Sequence, residues 1–102
     1  MVEFTADLWA HRNEPGSWHF VTLPLDAAEE IRDQADAVGP RGGFGSIRVS
    51  VTIGETTWQT SLFPEGAGGS MVLPVKKAVR QAEALEAGEP CLVAVELADA
   101  GG

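Results

Sequence analysis

Hydrophobic and polar residues alternate most regularly between positions 47 and 53. Arg48, Ser50 and Thr52 separate four apolar residues there: Ile47, Val49, Val51 and Ile53. A period of two is typical of a strand with one buried and one solvated face. Gly54-Glu55 follows, and a glycine at the first central position of a two-residue loop favours a type II′ turn. The pattern therefore predicts a hairpin with residues 56–63 as its second strand.

The turn predicts the register of this hairpin. Counting outward from it gives four cross-strand pairs: Ile53 with Thr56, Val51 with Trp58, Val49 with Thr60, and Ile47 with Leu62. In this register the apolar side chains of both strands share one face, whereas a slip of one residue would expose Trp58 and Leu62. We therefore expect Trp58 to pack in the core.

Two strands and a helix are predicted before the hairpin. Residues 2–11 alternate like a half-buried strand, residues 13–16 have turn chemistry, and residues 17–23 return as an antiparallel partner. Asp26 and Glu29 have the spacing of a capping box, which predicts a helix to about Ala37, ended by Gly39-Pro40. Its expected inward-facing residues are Ala28, Ile31, Ala35 and Val38. Its acidic residues are expected to form a solvated face.

A strand, a helix and a closing strand are predicted after the hairpin. A glycine-rich loop at 65–70 precedes a short strand at 71–73, and residues 90–97 alternate like a final strand. The helix between them starts after Pro74 and ends at Gly88. Its expected apolar stripe is Val75, Ala78, Val79, Ala82 and Leu85. The fold class is thus mainly β (α+β), with residues 1–98 as one barrel-like domain and 99–102 as a flexible tail.

One short sequence occurs twice. Leu23-Pro24 and Leu73-Pro74 each lead from a predicted strand into a predicted helix. An internal duplication explains the repeat, and so does convergence, because proline is favourable in the first turn of a helix. Both interpretations stay open at this point.

Charge and cysteine content limit the classes of function. The 15 acidic and 7 basic residues give a net charge of -8, which opposes association with nucleic acid or an anionic membrane. The single cysteine, Cys91, cannot form an internal disulfide, and it is expected to be a small core residue rather than a nucleophile. No signal-length apolar run follows Met1, so the cytoplasm is the expected compartment.

Three segments resemble one known family. They are the run from Trp18 to Pro24, the hairpin at Ile53-Gly54 with Trp58, and residues 73–80 followed by Gly88-Glu89 and an alternating strand. They look like a bacterial and archaeal family, the domain of unknown function nineteen-hundred-and-five. The resemblance covers nearly the whole chain and implies a closed, double-split small β-barrel of about six strands with two short helices. It implies no activity.

The helix and closing strand also resemble, more weakly, the swapped-hairpin barrels of AbrB-like regulators. That resemblance implies DNA binding as an intertwined dimer. Affinity for DNA depends largely on neutralising phosphates, and this chain has only 7 basic residues for that purpose. DNA binding is therefore kept as a disfavoured alternative.

Basic and aromatic residues are the candidate site residues. An anion site is one interpretation of the five cations Arg41, Arg48, Lys76, Lys77 and Arg80, and a solvated face paired with acidic side chains is the other. Trp9, Trp18 and Phe20 are hard to bury together in one small core, so they are candidates for a contact surface covered by a ligand, a protein partner or a second copy of the chain.

These residues predict a non-enzymatic module that binds a small anionic ligand or a protein partner. An enzyme or enzyme accessory acting on an anionic substrate is the alternative, with Asp7, His11 and Glu55 as the available bases. No sequence spacing places these bases near the cations. The sequence therefore predicts no catalytic residue, cofactor or metal. A metal site of His11 and His19 with Asp7 would need one particular register of the first hairpin.

Overall fold

The computed structural model describes residues 1–12, 16–39, 45–66 and 69–98. Within these ranges the chain forms six strands and two helices. The strands are β1 (Val2–Ala10), β2 (His19–Thr22), β3 (Ile47–Ile53), β4 (Thr56–Glu65), β5 (Ser70–Pro74) and β6 (Pro90–Leu97). The helices are α1 (Leu25–Val38) and α2 (Lys77–Ala82). The predicted tail at 99–102 lies outside the described residues.

The strands form a closed barrel in the order β1-β2-β5-β4-β3-β6. Every neighbouring pair is antiparallel. Alternate residues of each strand point inward and form one core, which α1 extends with Ala27, Ala28, Ile31 and Ala35. Small alanines let this helix approach β1, β5 and β6 closely. The predicted fold class and the closed barrel are both confirmed.

The central hairpin has the predicted register. Ile53 lies opposite Thr56, and the three other predicted pairs are present as well. Gly54 has a φ of 60°, as the first central position of a type II′ turn requires. Trp58 is only 9% exposed, so its predicted place in the core is confirmed.

The two halves of the barrel have the same order of elements. Both β1-β2-α1-β3 and β4-β5-α2-β6 run strand, strand, helix, strand. If β1, β2 and β3 are exchanged with β4, β5 and β6, every pair of neighbouring strands in the barrel again becomes a neighbouring pair. One repeated Leu-Pro step directly follows β2 and the other ends β5, and these two strands pair with each other around Thr22 and Val72. This topology favours an internal duplication over convergence.

The predicted capping box of α1 is wrong. The helix begins two residues earlier, at Leu25, with Pro24 as its N-cap, and the carbonyl of Pro24 accepts the first intrahelical bond from the Ala28 N–H at 2.9 Å. Asp26 therefore lies in the first turn, where its Oδ1 accepts from the Ala27 N–H at 2.9 Å. Val38 was expected to face inward, but it is 68% exposed because it is the last helical residue.

The helix α2 is shorter than the sequence predicts. It ends at Ala82 instead of Gly88, and Ala78 and Ala82, which were expected in its apolar stripe, are exposed. The Leu85 N–H bonds the Arg80 carbonyl at 2.8 Å and the Ala84 N–H bonds the Gln81 carbonyl at 3.4 Å, which is a Schellman closure. Ala84 takes the left-handed position with a φ of 52°. The end of α2 at Ala82 could not be predicted from the sequence, because glycine usually occupies the left-handed position after a helix and here Ala84 does.

Ala84 makes the helix end a place where stability can be gained. A left-handed φ costs an alanine about 1 kcal/mol or more, and a glycine nothing. We expect Ala84→Gly to raise the free energy of unfolding by about 0.5 to 1 kcal/mol after the greater entropy of the unfolded chain is counted. Urea denaturation measures this change.

Ala78→Gly is the matched control, because Ala78 is an exposed alanine inside the same helix. That substitution should lower the free energy of unfolding by about 0.5 to 1 kcal/mol. Equal losses in the two variants would contradict the Schellman closure.

Candidate anion-binding groove

A concave groove lies where the start of β2, the middle of β4, the end of β5 and the start of α2 meet. It encloses a cavity of about 480 Å³. Lys76, Lys77 and Arg80 line it together with His19. Its apolar walls come mainly from Trp18, Trp58, Phe63, Pro74 and Val75.

The lining of the groove has one sign of charge. Three of the 7 basic residues of the chain line it, and no acidic residue does so in the part of the chain that the structure describes. This is notable in a chain with 15 acidic residues, because random placement would put carboxylates there. A second cavity of about 360 Å³ has the opposite character, with Glu3 and Glu83 in its wall and no described basic residue. An anion would thus be attracted to the groove and repelled at the second cavity.

Two hydrogen bonds hold the guanidinium group of Arg80. Its Nε donates to the Val75 carbonyl at 3.2 Å, and its Nη1 lies 3.3 Å from Nε2 of His19. Nδ1 of His19 lies 2.9 Å from the Ser17 carbonyl, which can only accept, so Nδ1 carries a proton. Arginine can only donate, so Nε2 of His19 accepts. The imidazole is therefore neutral in this arrangement and acts as a support for Arg80.

This support leaves Arg80 ready to bind an anion. A guanidinium has five N–H donors, and the two bonds described above use two of them. The group is half-buried, so the remaining donors lie in a fixed plane beside the groove instead of on a freely rotating side chain. Such fixed donors suit the oxygens of a carboxylate or a phosphate.

Aromatic rings form a row on the outside of β1 and β2. The ring centres of Trp9 and Phe20 are 5.0 Å apart, and those of Phe20 and Trp18 are 6.2 Å apart with an interplanar angle of 14°. Nε1 of Trp9 donates to the Thr22 hydroxyl at 2.8 Å. The structure thus brings together the three aromatic candidates, but only Trp18 is largely exposed, at 70%, and only Trp18 lines the groove.

The five predicted cations separate into three groups. Lys76, Lys77 and Arg80 line the groove. Arg48 is exposed on β3 opposite Ser61, on another part of the barrel, and does not line it. Arg41 lies outside the described residues. Whether the three groove cations bind an anion stays a prediction.

A comparison with known protein families matches residues 4–95 to a domain of unknown function (DUF1905). The chain belongs to this family. The match covers most of the barrel, from the first strand into the last, and confirms the resemblance seen in the sequence. No curated protein matches the chain.

Sequence reasoning missed the part that His19 and Phe63 play in the groove of this DUF1905 domain. The sequence pattern indicates His19 only as a possible metal ligand and Phe63 only as the end of a strand. Phe63 is 44% exposed and lines the groove because β4 continues beyond the hairpin and pairs with β5 through Val72. The one sequence signal for the role of Phe63 is that an apolar residue lies on the outer face of a strand.

The metal site considered for His11, His19 and Asp7 does not form. His19 lies opposite Ala10, one residue away from the register that the site requires. Directly paired residues share a face, so His11 and His19 lie on opposite faces of the sheet. Among the described residues, no group of three histidine, cysteine or acidic side chains is placed to hold a metal ion. None of the described helices is both long enough and apolar enough to span a lipid bilayer.

Cys91 is a core residue, as the sequence predicts. It is 2% exposed, and burial raises the pKa of its thiol above the ordinary value of 9.0. A hydrogen bond with the Leu8 backbone offsets part of this rise, while the charges of Glu89 and Asp7 add to it. A thiol with a raised pKa is a weak nucleophile at neutral pH.

The raised pKa of Cys91 predicts a loss of stability in alkali. Below about pH 9 the folded and unfolded chains both keep the thiol proton, so the full stability is present. Above that pH the unfolded chain loses the proton first, so the free energy of unfolding falls until the folded thiol ionises as well. Urea denaturation across this pH range should show a steeper fall for the native chain than for Cys91→Ala. Equal slopes would contradict a raised thiol pKa.

Proposed function

We propose that this domain is a non-enzymatic module that binds a small organic anion in the groove at the start of α2. The observation that carries this proposal is the gathering of Lys76, Lys77 and Arg80 in one concave site without a carboxylate among its described lining residues. In a chain of net charge -8, such a site is a local reversal of the surface potential.

The held arginine supports the proposal further. Val75 and His19 fix Arg80 before any ligand arrives, so binding does not have to restrict a flexible side chain. The two lysines at the start of α2 carry flexible point charges and adapt to ligands of different size. The site therefore combines one rigid donor group with two adaptable cations.

The size and shape of the groove favour a small molecule over a protein or a duplex. A cavity of about 480 Å³ lies within the range of roughly 300 to 1,000 Å³ that small-molecule sites occupy. A DNA duplex needs a longer row of cations for its phosphates, whereas the groove offers three.

Binding rather than catalysis fits the state of His19. A general base needs a nitrogen lone pair that points at its substrate. Nδ1 of His19 is protonated toward Ser17, and Nε2 already accepts from Arg80. Lysines and arginine are positioned to hold an anion, and no base stands beside them among the residues that the structure describes in the groove.

The test is a thermal-shift and calorimetric screen at low salt. Its probes are inorganic phosphate, propionate, larger carboxylates and phosphate esters. A ligand at a hundred times its dissociation constant adds about 2.7 kcal/mol to stability, which corresponds to a rise in Tm of about 10 °C or more. We expect Arg80→Gln to weaken the affinity for the best probe by about ten-fold or more, because charged hydrogen bonds contribute most to such binding.

Arg48→Gln is the matched control, because it removes the same charge from an exposed position outside the groove. It should leave the affinity nearly unchanged. The proposal fails if no anion shifts the Tm, or if the two variants weaken binding equally, since equal effects would mean attraction by overall charge alone. Circular dichroism of both variants checks that the barrel is intact.

A further inference from the structure

The groove presents an aromatic face beside its cations. Trp18 is 70% exposed, although tryptophan is usually largely buried. The next residue along the chain, His19, is the one that holds Arg80. The indole of Trp18 and the guanidinium of Arg80 both line this one cavity.

The indole of Trp18 is supported from behind. Its ring stacks on Phe20 at an angle of 14°, and Phe20 in turn lies 5.0 Å from Trp9, which is anchored to Thr22. At a ring-centre distance of 6.2 Å the two rings are offset, so Phe20 contacts only part of the indole, and an exposure of 70% leaves most of the side chain accessible. A flat apolar surface held in this way loses little entropy when a planar group stacks on it.

We propose that the ligand of the groove is an aromatic anion, with its planar ring on Trp18 and its charged group on Arg80, Lys76 and Lys77. This inference rests on the proposed function and adds the class of ligand. The cations alone would accept any small anion, whereas the exposed indole adds a preference for a ring. Carboxylate and phosphate groups share the required chemistry, so the experiment tests both.

The experiment compares two carboxylates of the same charge and nearly the same size by isothermal titration calorimetry. 2-Naphthoate carries a planar aromatic ring system, and decahydro-2-naphthoate is its saturated analogue. We expect 2-naphthoate to bind about ten-fold more tightly, which equals about 1.4 kcal/mol. 2-Naphthyl phosphate, compared with 2-naphthoate, shows which anionic group the cations prefer.

Variants assign the preference to Trp18. Trp18→Ala should remove the difference between the two carboxylates, while Trp18→Phe should keep most of that difference. Leu92→Ala is the matched control, because Leu92 is 65% exposed and lines the acidic cavity instead of the groove. It should leave the preference as in the native chain.

The outcomes separate the two proposals. If both carboxylates bind equally and both need Arg80, the anion site stands and the aromatic preference is wrong. The same conclusion follows if Trp18→Ala keeps the full preference. If no probe binds in a way that depends on Arg80, both the proposed function and this inference fail. Trp18 is mostly exposed, so its variants are expected to fold.

Discussion

The pairing of β2 with β5 is the contact on which the rest of the structure depends. It consists of three residue pairs from Phe20–Pro74 to Thr22–Val72, and it joins the first half of the chain to the second on one side of the barrel. Three longer pairings, of β1 with β6, of β3 with β4 and of β3 with β6, also join the two halves. Without the short pairing the barrel would be an open sheet with two unsatisfied edges.

The groove is a direct consequence of this pairing. Pro74 ends β5 opposite Phe20, and the Val75 N–H then bonds the His19 carbonyl at 3.0 Å. The start of α2 is thereby held next to the start of β2. Because a helix turns its fourth residue back over its start, Arg80 reaches both the Val75 carbonyl and the His19 ring. His19 and Arg80, which are 61 positions apart in sequence, thus form one wall of the groove.

Basic and acidic residues are unevenly distributed over the surface of this small barrel, which the composition alone does not show. The net charge of -8 argues against polyanions in general, yet three cations line one cavity while two glutamates line a different one. A composition measures the charge of the whole surface, whereas a ligand responds to the potential of the site it enters. An acidic protein can therefore carry an anion site of small size.

Local rules in the sequence determined the hairpin of β3 and β4, because Gly54-Glu55 fixes the turn and period-two alternation then fixes each pair. They also identified the core tryptophan, Trp58, and the basic run at the start of α2. The tertiary structure decided the rest. The early end of α2 at Ala82 depends on a closure with Ala84 in the left-handed position, which alanine rarely takes, and the separation of Arg48 from Arg80 depends on strand order around the barrel. His19 became the support of Arg80 because β2 and β5 pair across a distance in sequence that no local pattern encodes.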